Sequence, residues 1–245
     1  MTKEDKKKRE PSDSSLMALF RAMVLGETKR VSRLLAKSPE LARQALGEGA
    51  SRETAKGCFF TEIMHYVYAG DTALHVAAAA YQPEVARELV GHGAWPGARN
   101  RRGAEPLHYA ADGIPGSAYW NPDAQAAIVE YLIEAGADPN AADKSGVAPL
   151  HRAVRTRCAA AVRALLAHGA DPLRQNKSGS TPLHLAVQTT GRGGAGSSQS
   201  RQQQEHIIRL LLQNGAKPTD KDAQGKTVEQ SAVSDWIREL LQTRR

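Results

Sequence analysis

The sequence has few aromatic residues, few cysteines and no long apolar run. Its 245 residues include three Trp, six Tyr, three Phe and two Cys. No segment approaches the roughly 18 to 20 uninterrupted apolar residues that a membrane helix needs, so we expect no membrane-spanning protein. With so few aromatic residues, a core must consist of Ala, Leu, Val and Ile, which favours closely packed helices.

The N-terminal region predicts no secretory signal, because Arg21 interrupts the apolar stretch 16–25. Cys58 and Cys158 lie far apart in the chain, and a disulfide framework needs more cysteines in a shorter sequence. We therefore expect two reduced thiols and a cytoplasmic location. The basic run 6–9 is typical of a solvated tail, with a nuclear address as the alternative.

One short pattern occurs four times and sets the organisation of the chain. The four copies are Gly70-Asp-Thr-Ala-Leu-His75, Gly103-Ala-Glu-Pro-Leu-His108, Gly146-Val-Ala-Pro-Leu-His151 and Gly179-Ser-Thr-Pro-Leu-His184. Thr is a suitable N-cap, and Pro fits the first helical position because its missing N–H needs no partner there. Each copy therefore predicts the start of a helix.

A second pattern, Gly-Ala-x-Pro, repeats in step at residues 93–96, 136–139, 169–172 and 215–218. It follows apolar residues spaced as on one face of a helix, such as Val162, Leu165 and Leu166. Glycine there predicts a left-handed C-cap, and the nearby proline prevents continuation of the helix. Each repeat thus consists of a short helix, a turn, a second helix and an extended connector.

These two patterns resemble the ankyrin repeat family, whose consensus contains Gly-x-Thr-Pro-Leu-His and a later Gly-Ala-Asp. The resemblance implies an all-α solenoid of stacked helix-turn-helix units, with two lengthened inter-helix loops. We predict these parts, in chain order: a charged disordered tail 1–13, an N-terminal capping repeat 14–43, an irregular insertion 44–69, four repeats 70–102, 103–145, 146–178 and 179–224, and a shortened C-terminal cap 225–245.

The repeated histidines do not predict a metal site. Stacked helices place equivalent residues about 8 to 10 Å apart, whereas zinc ligands must lie about 2 Å from one ion. The resemblance implies instead that each imidazole forms hydrogen bonds between neighbouring loops. No nucleophile with a base and an orienting group emerges either. We expect no enzyme, no cofactor and no catalytic residue.

The resemblance implies that a partner binds the connector tips and the exposed side of the first helices. The residues at those positions are mostly basic, and the chain carries a formal charge of +7. We therefore predict a protein-interaction scaffold, monomeric, with a basic concave surface for an acidic partner. The predicted partner-binding residues are Arg99, Arg101, Arg102, Tyr109, Lys144, Arg152 and Lys177.

An alternative function uses the two lengthened loops, 112–122 and 189–201, which we expect on one edge about 20 Å apart. Between them the third repeat would expose arginines, and the backbone amides of the Gly-rich segment 191–198 could hold an anion ahead of a helix. This groove would serve an anion-binding or small-ligand regulator, with an enzymatic role left open. Its candidate residues are Tyr119, Trp120, Arg155, Arg157 and Arg192.

The insertion 44–69 contains Phe59, Phe60, Tyr66 and Tyr68. We expect the two phenylalanines to cover exposed core and the two tyrosines to lie near the concave face. A nucleic-acid partner is disfavoured, because the basic residues of the sequence are not interleaved with aromatic residues as base-stacking platforms require.

Overall fold

The computed structural model describes residues 10–51, 55–188 and 198–242. It divides into two compact units. The N-terminal unit is Met1–Ala110 with Tyr131–Ala137, and the C-terminal unit is Ala111–Glu130 with Asp138–Arg245. Helices form nearly all of the regular structure, which confirms the predicted helical fold class. Among the described helices, none is long and apolar enough to cross a membrane.

The elements follow the repeats along the chain. They begin with α1 Glu10–Val24, α2 Thr28–Lys37, 3-10 turns at Pro39–Ala42 and Ala55–Cys58, β1 Phe59–Phe60, β2 His65–Tyr66, α3 Ala73–Ala79, α4 Pro83–Gly91, α5 Pro106–Ala111 and α6 Pro122–Glu134. They continue with α7 Pro149–Arg155, α8 Ala159–Ala167, α9 Pro182–Ala186, α10 Ser198–Gln213, α11 Val228–Ser231 and α12 Asp235–Gln242.

Two boundaries differ from the prediction. Helix α1 begins at Glu10, so residues 10–13 of the predicted tail are helical, and residues 1–9 lie outside the described part. Helix α10 begins at Ser198, inside the lengthened loop predicted over 189–201. Ser, Gln and Arg at 198–203 give this start no apolar periodicity, so the sequence pattern placed it too late.

The N-terminal unit is held by aliphatic packing of its first helices. Helix α1 packs on α2 and α3, and α3 packs on α4. Leu16, Phe20 and Met23 of α1 are fully buried, as are Leu74 of α3 and Leu89 of α4. Removing such side chains from water is the main stabilising term, about 1.5–3 kcal/mol for each large one.

The insertion 44–69 ends in a two-stranded hairpin. Strands β1 and β2 pair antiparallel, with Phe59 opposite Tyr66 and Phe60 opposite His65. Phe60 is buried, which agrees with the expected cover over the core, whereas Phe59 is half-buried. The other end of the insertion is tied to the first repeat by a bridge between Ala45 and Thr72.

The C-terminal unit repeats one packing arrangement. First helices pack on first helices, α7 on α9 and α9 on α11, while the second helices α8 and α10 pack on each other. The buried residues Leu150, Val162, Leu165, Leu183 and Ile208 fill the space between these layers. This is how neighbouring repeats bury the apolar face that a single repeat leaves open.

The four repeated histidines cap the first helices. In every repeat the imidazole Nδ1 accepts the amide N–H of the N-cap residue, at 3.1–3.3 Å, for His75, His108, His151 and His184. The Nε2 of three of them lies 3.2 Å from a carbonyl oxygen of the next connector: Ala104 for His75, Ser180 for His151 and Lys226 for His184. For those three histidines, the predicted bridging role is confirmed.

An Asn or Asp side chain holds each connector in a tight turn. The Oδ1 atoms of Asn100, Asp143, Asn176 and Asp222 each accept amide N–H groups two and four residues on, at 2.8–3.1 Å. Such local bonds fix the backbone of a turn. The connectors are therefore rigid, and the residues next in sequence are held at their tips.

Candidate functional site

In the N-terminal unit, the insertion and the first connector meet around the ring of Tyr68. The Cζ atoms of Arg101 and Arg102 lie 5.4 and 4.9 Å from the ring centroid, within the range of cation–π attraction. Arg102 Nη1 also donates to the Tyr68 hydroxyl at 2.9 Å, and Arg101 Nη2 donates to the Ala50 carbonyl. We call Tyr66, Tyr68, Arg101 and Arg102 the arginine–tyrosine platform.

A buried polar network fixes the backbone under this platform. The Arg101 amide donates to the Ala69 carbonyl at 2.8 Å, and the Arg102 amide donates to Asn100 Oδ1 at 2.9 Å. Asn100 in turn donates from Nδ2 to the buried Asp71 carboxylate at 2.8 Å, which also accepts the Tyr68 amide at 2.6 Å. The backbones of Tyr68 and Arg102 are thus tied to the Asp71 carboxylate, directly for the tyrosine and through Asn100 for the arginine. The Arg101 backbone is held separately, by the Ala69 carbonyl.

The platform continues into the hairpin through aromatic contacts. The Tyr66 ring centroid lies 6.4 Å from that of Tyr68 and 4.7 Å from that of Phe59, with tilted rings. Tyr66 is 39% exposed, and Met64, just before it in the turn, is 47% exposed. An accessible aromatic and thioether surface therefore adjoins the two guanidinium groups.

Tyr109, predicted to anchor a partner, is instead a core residue. It is only 2% exposed, and its hydroxyl donates to Asp71 Oδ2 at 2.8 Å. The His65 ring stacks on it at 4.2 Å. The prediction was wrong because the insertion 44–69, absent from a regular repeat, lies over the face that Tyr109 would otherwise expose.

Arg99, another predicted partner contact, forms an ion pair within its own connector. Its Nε donates to Glu105 at 2.9 Å, and that carboxylate is almost fully buried, whereas the arginine side chain is half exposed. Glu105 stands where two of the other repeats have threonine. Arg101 and Arg102, by contrast, form no ion pair with any residue that the structure describes.

In the C-terminal unit, Lys144 and Lys177 lie exposed at the tips of neighbouring connectors. The tips touch, since the Lys177 amide donates to the Ser145 carbonyl at 3.2 Å. The polar side chains beside them, the carboxylate of Asp143 and the amide of its counterpart Asn176, each accept a backbone N–H. Neither lysine has an ion pair within the described ranges.

Arg152, the second first-helix residue predicted to bind a partner, is also mostly buried. Its side chain is 12% exposed and donates to Asp112 at 2.8 Å and to Asp143 at 3.3 Å. Burial lowers the pKa of Arg152, but the two carboxylates raise it above its ordinary value. The prediction failed because helical spacing shows which face a residue is on, and not whether a distant acid covers it.

The pKa of Asp143 also depends on the ion pair with Arg152. Burial raises its pKa, while the amides of Ser145 and Val147 and the Arg152 guanidinium lower it, with a net value below the ordinary 3.8. Asp143 therefore joins the connector turn to helix α7.

The proposed edge groove is narrower than expected. Gln199 Oε1 of α10 lies 3.1 Å from the point where a Cβ on Gly116 would stand, so the first lengthened loop meets α10 directly. The expected separation of about 20 Å is therefore wrong, because α10 extends back into the second loop. Tyr119 is 61% exposed, whereas the Trp120 indole N–H is bound to Gln125 at 2.8 Å.

Of the arginines assigned to that groove, only one is exposed in the described part of the chain. Arg155 is exposed, but Arg157 is only 8% exposed and donates to the Gln188 carbonyl at 3.2 Å. Burial lowers the pKa of Arg157. Arg192 and the glycines 191–197 lie outside the described residues. The prediction that Arg157 lines the groove is therefore wrong, and this residue has a structural role.

Cys158, the residue before helix α8, is fully buried. Burial raises the pKa of its thiol to about 11, although contacts with Thr156, Gln125 and Trp120 oppose that rise. A thiol in this state is a poor nucleophile. Neither cysteine forms a disulfide. Among the residues that the structure describes, no three His, Cys, Asp or Glu side chains converge as metal ligands.

Comparison with protein families gives one result. A family model described as ankyrin repeats, in three copies, matches residues 34–140 and 117–222. These ranges include the first three predicted repeats, nearly all of the fourth, and both sets of connector cations. No curated protein matches the sequence significantly.

Proposed function

This chain belongs to the ankyrin repeat family, and from that membership we propose that it is a non-catalytic scaffold for an acidic protein partner. Ankyrin repeats are generally protein–protein interaction modules. The observation that carries the finer proposal is the charge distribution of the connectors. Their acids and amides bind backbone N–H groups, while their lysines and arginines are exposed at the tips.

The rigidity of the connectors supports a binding role. A surface that is already ordered loses little conformational entropy when a partner binds, so a few cationic contacts can supply useful affinity. Arg101 and Arg102 in the N-terminal unit, and Lys144 and Lys177 in the C-terminal unit, are the cations we assign to this role. Tyr109 and Arg152 do not belong to this set, because their side chains are mostly buried.

Reduced thiols fit a cytoplasmic protein. Neither Cys58 nor Cys158 forms a disulfide, as expected in a reducing compartment. We place the scaffold there. The anion-binding alternative has less support, because Arg155 is the one exposed arginine of the candidate groove within the described chain.

The test is a binding assay with matched charge reversals. Fluorescein-labelled peptides rich in Asp and Glu, and the same peptides with Lys in place of the acids, are titrated by fluorescence anisotropy. We expect only the acidic set to bind, and the variant Lys144→Glu/Lys177→Glu to weaken binding at least about tenfold, or 1.4 kcal/mol. Affinity should also fall with added salt.

The control is Lys29→Glu/Lys37→Glu, which reverses two exposed charges on helix α2 without touching a connector. It should bind acidic peptides nearly as well as the unaltered protein. Equal losses in both double variants would show a response to net charge alone, and the connector assignment would be rejected.

A further inference from the structure

The arginine–tyrosine platform forms where the insertion 44–69, which lies outside the repeats, meets the first connector. We infer that it binds a linear acidic segment in which an aromatic side chain adjoins the carboxylates. The inference rests on the proposed function, and it adds a second determinant to the ligand beyond negative charge.

The two guanidinium groups set the acidic part of the ligand. Arg101 and Arg102 both lie within 5.4 Å of one ring centroid, and no described carboxylate neutralises them. Guanidinium groups bind carboxylates through paired N–H donors, with geometry that an ammonium lacks. The Arg102 backbone is fixed by Asn100, and the Arg101 amide is bound by the Ala69 carbonyl. Both guanidinium groups contact the Tyr68 ring, so they present these donors in one place.

The hairpin sets the aromatic part of the ligand. Tyr66 presents about two fifths of its surface to solvent, beside the exposed thioether of Met64. Rings favour tilted or offset contacts with other rings, and thioethers also contact ring edges well. Since Tyr66 and Tyr68 are adjacent on the platform, a ligand ring on Tyr66 places the neighbouring ligand residues over the arginines.

A peptide fits this surface better than a single-stranded nucleic acid. Base-stacking platforms need several rings with free faces in succession. Here both arginines approach the Tyr68 ring and Phe59 packs on Tyr66, so few ring faces remain for bases. The contacts of the rings therefore favour one aromatic residue among acidic ones.

The experiment uses peptides of about 12 residues, roughly 40 Å when extended, carrying fluorescein. One has Trp between acidic residues, a second has Ala in place of Trp, and a third has Lys in place of the acids; oligothymidylate is the nucleic-acid probe. The protein is tested as the full chain and as the variants Arg102→Glu, Tyr66→Ala and Tyr66→Phe.

We expect the Trp peptide to bind best, and Arg102→Glu to weaken it at least about tenfold. Tyr66→Ala should weaken the Trp peptide but not the Ala peptide, while Tyr66→Phe retains affinity because it keeps the ring. Lys37→Glu and Trp95→Ala, at an exposed lysine and an exposed aromatic residue elsewhere, should change nothing. Thermal unfolding of each variant verifies that it remains folded.

Equal effects of Tyr66→Ala on the Trp and Ala peptides would overturn the inference, as would preferential binding of oligothymidylate. Binding that depends on Lys144 and Lys177 but is unaffected by Arg102→Glu would overturn it while leaving the proposed function intact. If no acidic peptide binds in either assay, both proposals fail together.

Discussion

The imidazole of His151 has a defined protonation state in the folded chain. Its Nδ1 accepts the Ala148 amide N–H at 3.2 Å, so the proton of the neutral ring lies on Nε2, which faces the Ser180 carbonyl. A second proton would remove the acceptor. Burial lowers the pKa of His151 below its ordinary 6.5, although the Ser180 carbonyl opposes this shift.

This state predicts a pH effect on stability. Below pH 6.5 the unfolded chain binds the proton first, so the unfolding free energy falls as the pH drops from 6.5 towards the lowered folded pKa. His151→Gln should reduce this slope, because glutamine does not bind a proton in this pH range. The variant should still fold, since a glutamine can cap in the same way, as Gln230 does for Thr227. Urea unfolding between pH 7.5 and 5.5 measures it. Identical slopes in both proteins would refute the assignment.

Substitutions of the buried Arg152 and of the exposed Arg155 on the same helix should change the unfolding free energy by very different amounts. Arg152→Met leaves the carboxylates of Asp112 and Asp143 without their guanidinium, and we expect a loss of about 3 kcal/mol in unfolding free energy. Arg155→Met, on the same helix but exposed, should change it by less than about 0.5 kcal/mol.

The pH dependence of the Arg152→Met effect provides a second check. The pKa of Asp143 lies below its ordinary 3.8 in the folded chain, so the stability from its pairing with Arg152 is present above pH 3.8 and is lost as the pH falls below 3.8 towards that lowered value. The loss caused by Arg152→Met should shrink over the same range. Equal effects of the two substitutions in urea unfolding would place Arg152 on the surface after all.

The connectors are the elements that make neighbouring repeats cohere in the C-terminal unit. A Cβ on Gly179 would clash with the backbone of Ala223 in the next connector. Gly179 also has a φ of +73°, in the left-handed region that favours glycine. Close packing and backbone conformation therefore both restrict this position.

Two glycine substitutions separate these causes. Gly169 has a similar φ of +85° but no atom within 4 Å of a built Cβ. Gly169→Ala should cost about 1–2 kcal/mol from the backbone alone, and Gly179→Ala at least about 1 kcal/mol more from the clash. Chemical unfolding measures both, and a Gly179→Ala loss no larger than that of Gly169→Ala would refute tight connector packing.

Helix starts and ends were predictable because they depend on local chemistry. Proline at the first helical position marks α5, α7 and α9, and the structure begins these helices there. The connector turns could have been predicted too, since Asn100, Asp143 and their equivalents stand three residues before a glycine. The hairpin could not, because two-residue strands carry too little alternation to recognise.

The candidate site was predictable only in part, because it depends on residues far apart in sequence. The exposed Arg101, Arg102, Lys144 and Lys177 follow from their connector positions. The association of Arg101 and Arg102 with Tyr68, and the burial of Tyr109, require the path of residues 44–69 across the first repeat. That path is set by tertiary packing and not by a repeated motif.

At the scale of the whole molecule, the account rests on a net charge of +7 and on where the unpaired cations lie. Net positive charge alone would attract many acidic ligands, including nucleic acids. The proposed specificity comes instead from cations held on rigid connectors beside an exposed ring. A direct test must therefore report position as well as binding.

Site-specific photocrosslinking in cells provides that test. A benzophenone amino acid is placed at Ser145 or Ser178, on the connector tips, or at Ala167, exposed at the end of α8. We predict that both tip positions crosslink to Asp- and Glu-rich protein segments, and that Ala167 does not. Nucleic-acid adducts, or equal yields at Ala167 and the tips, would contradict the central claim.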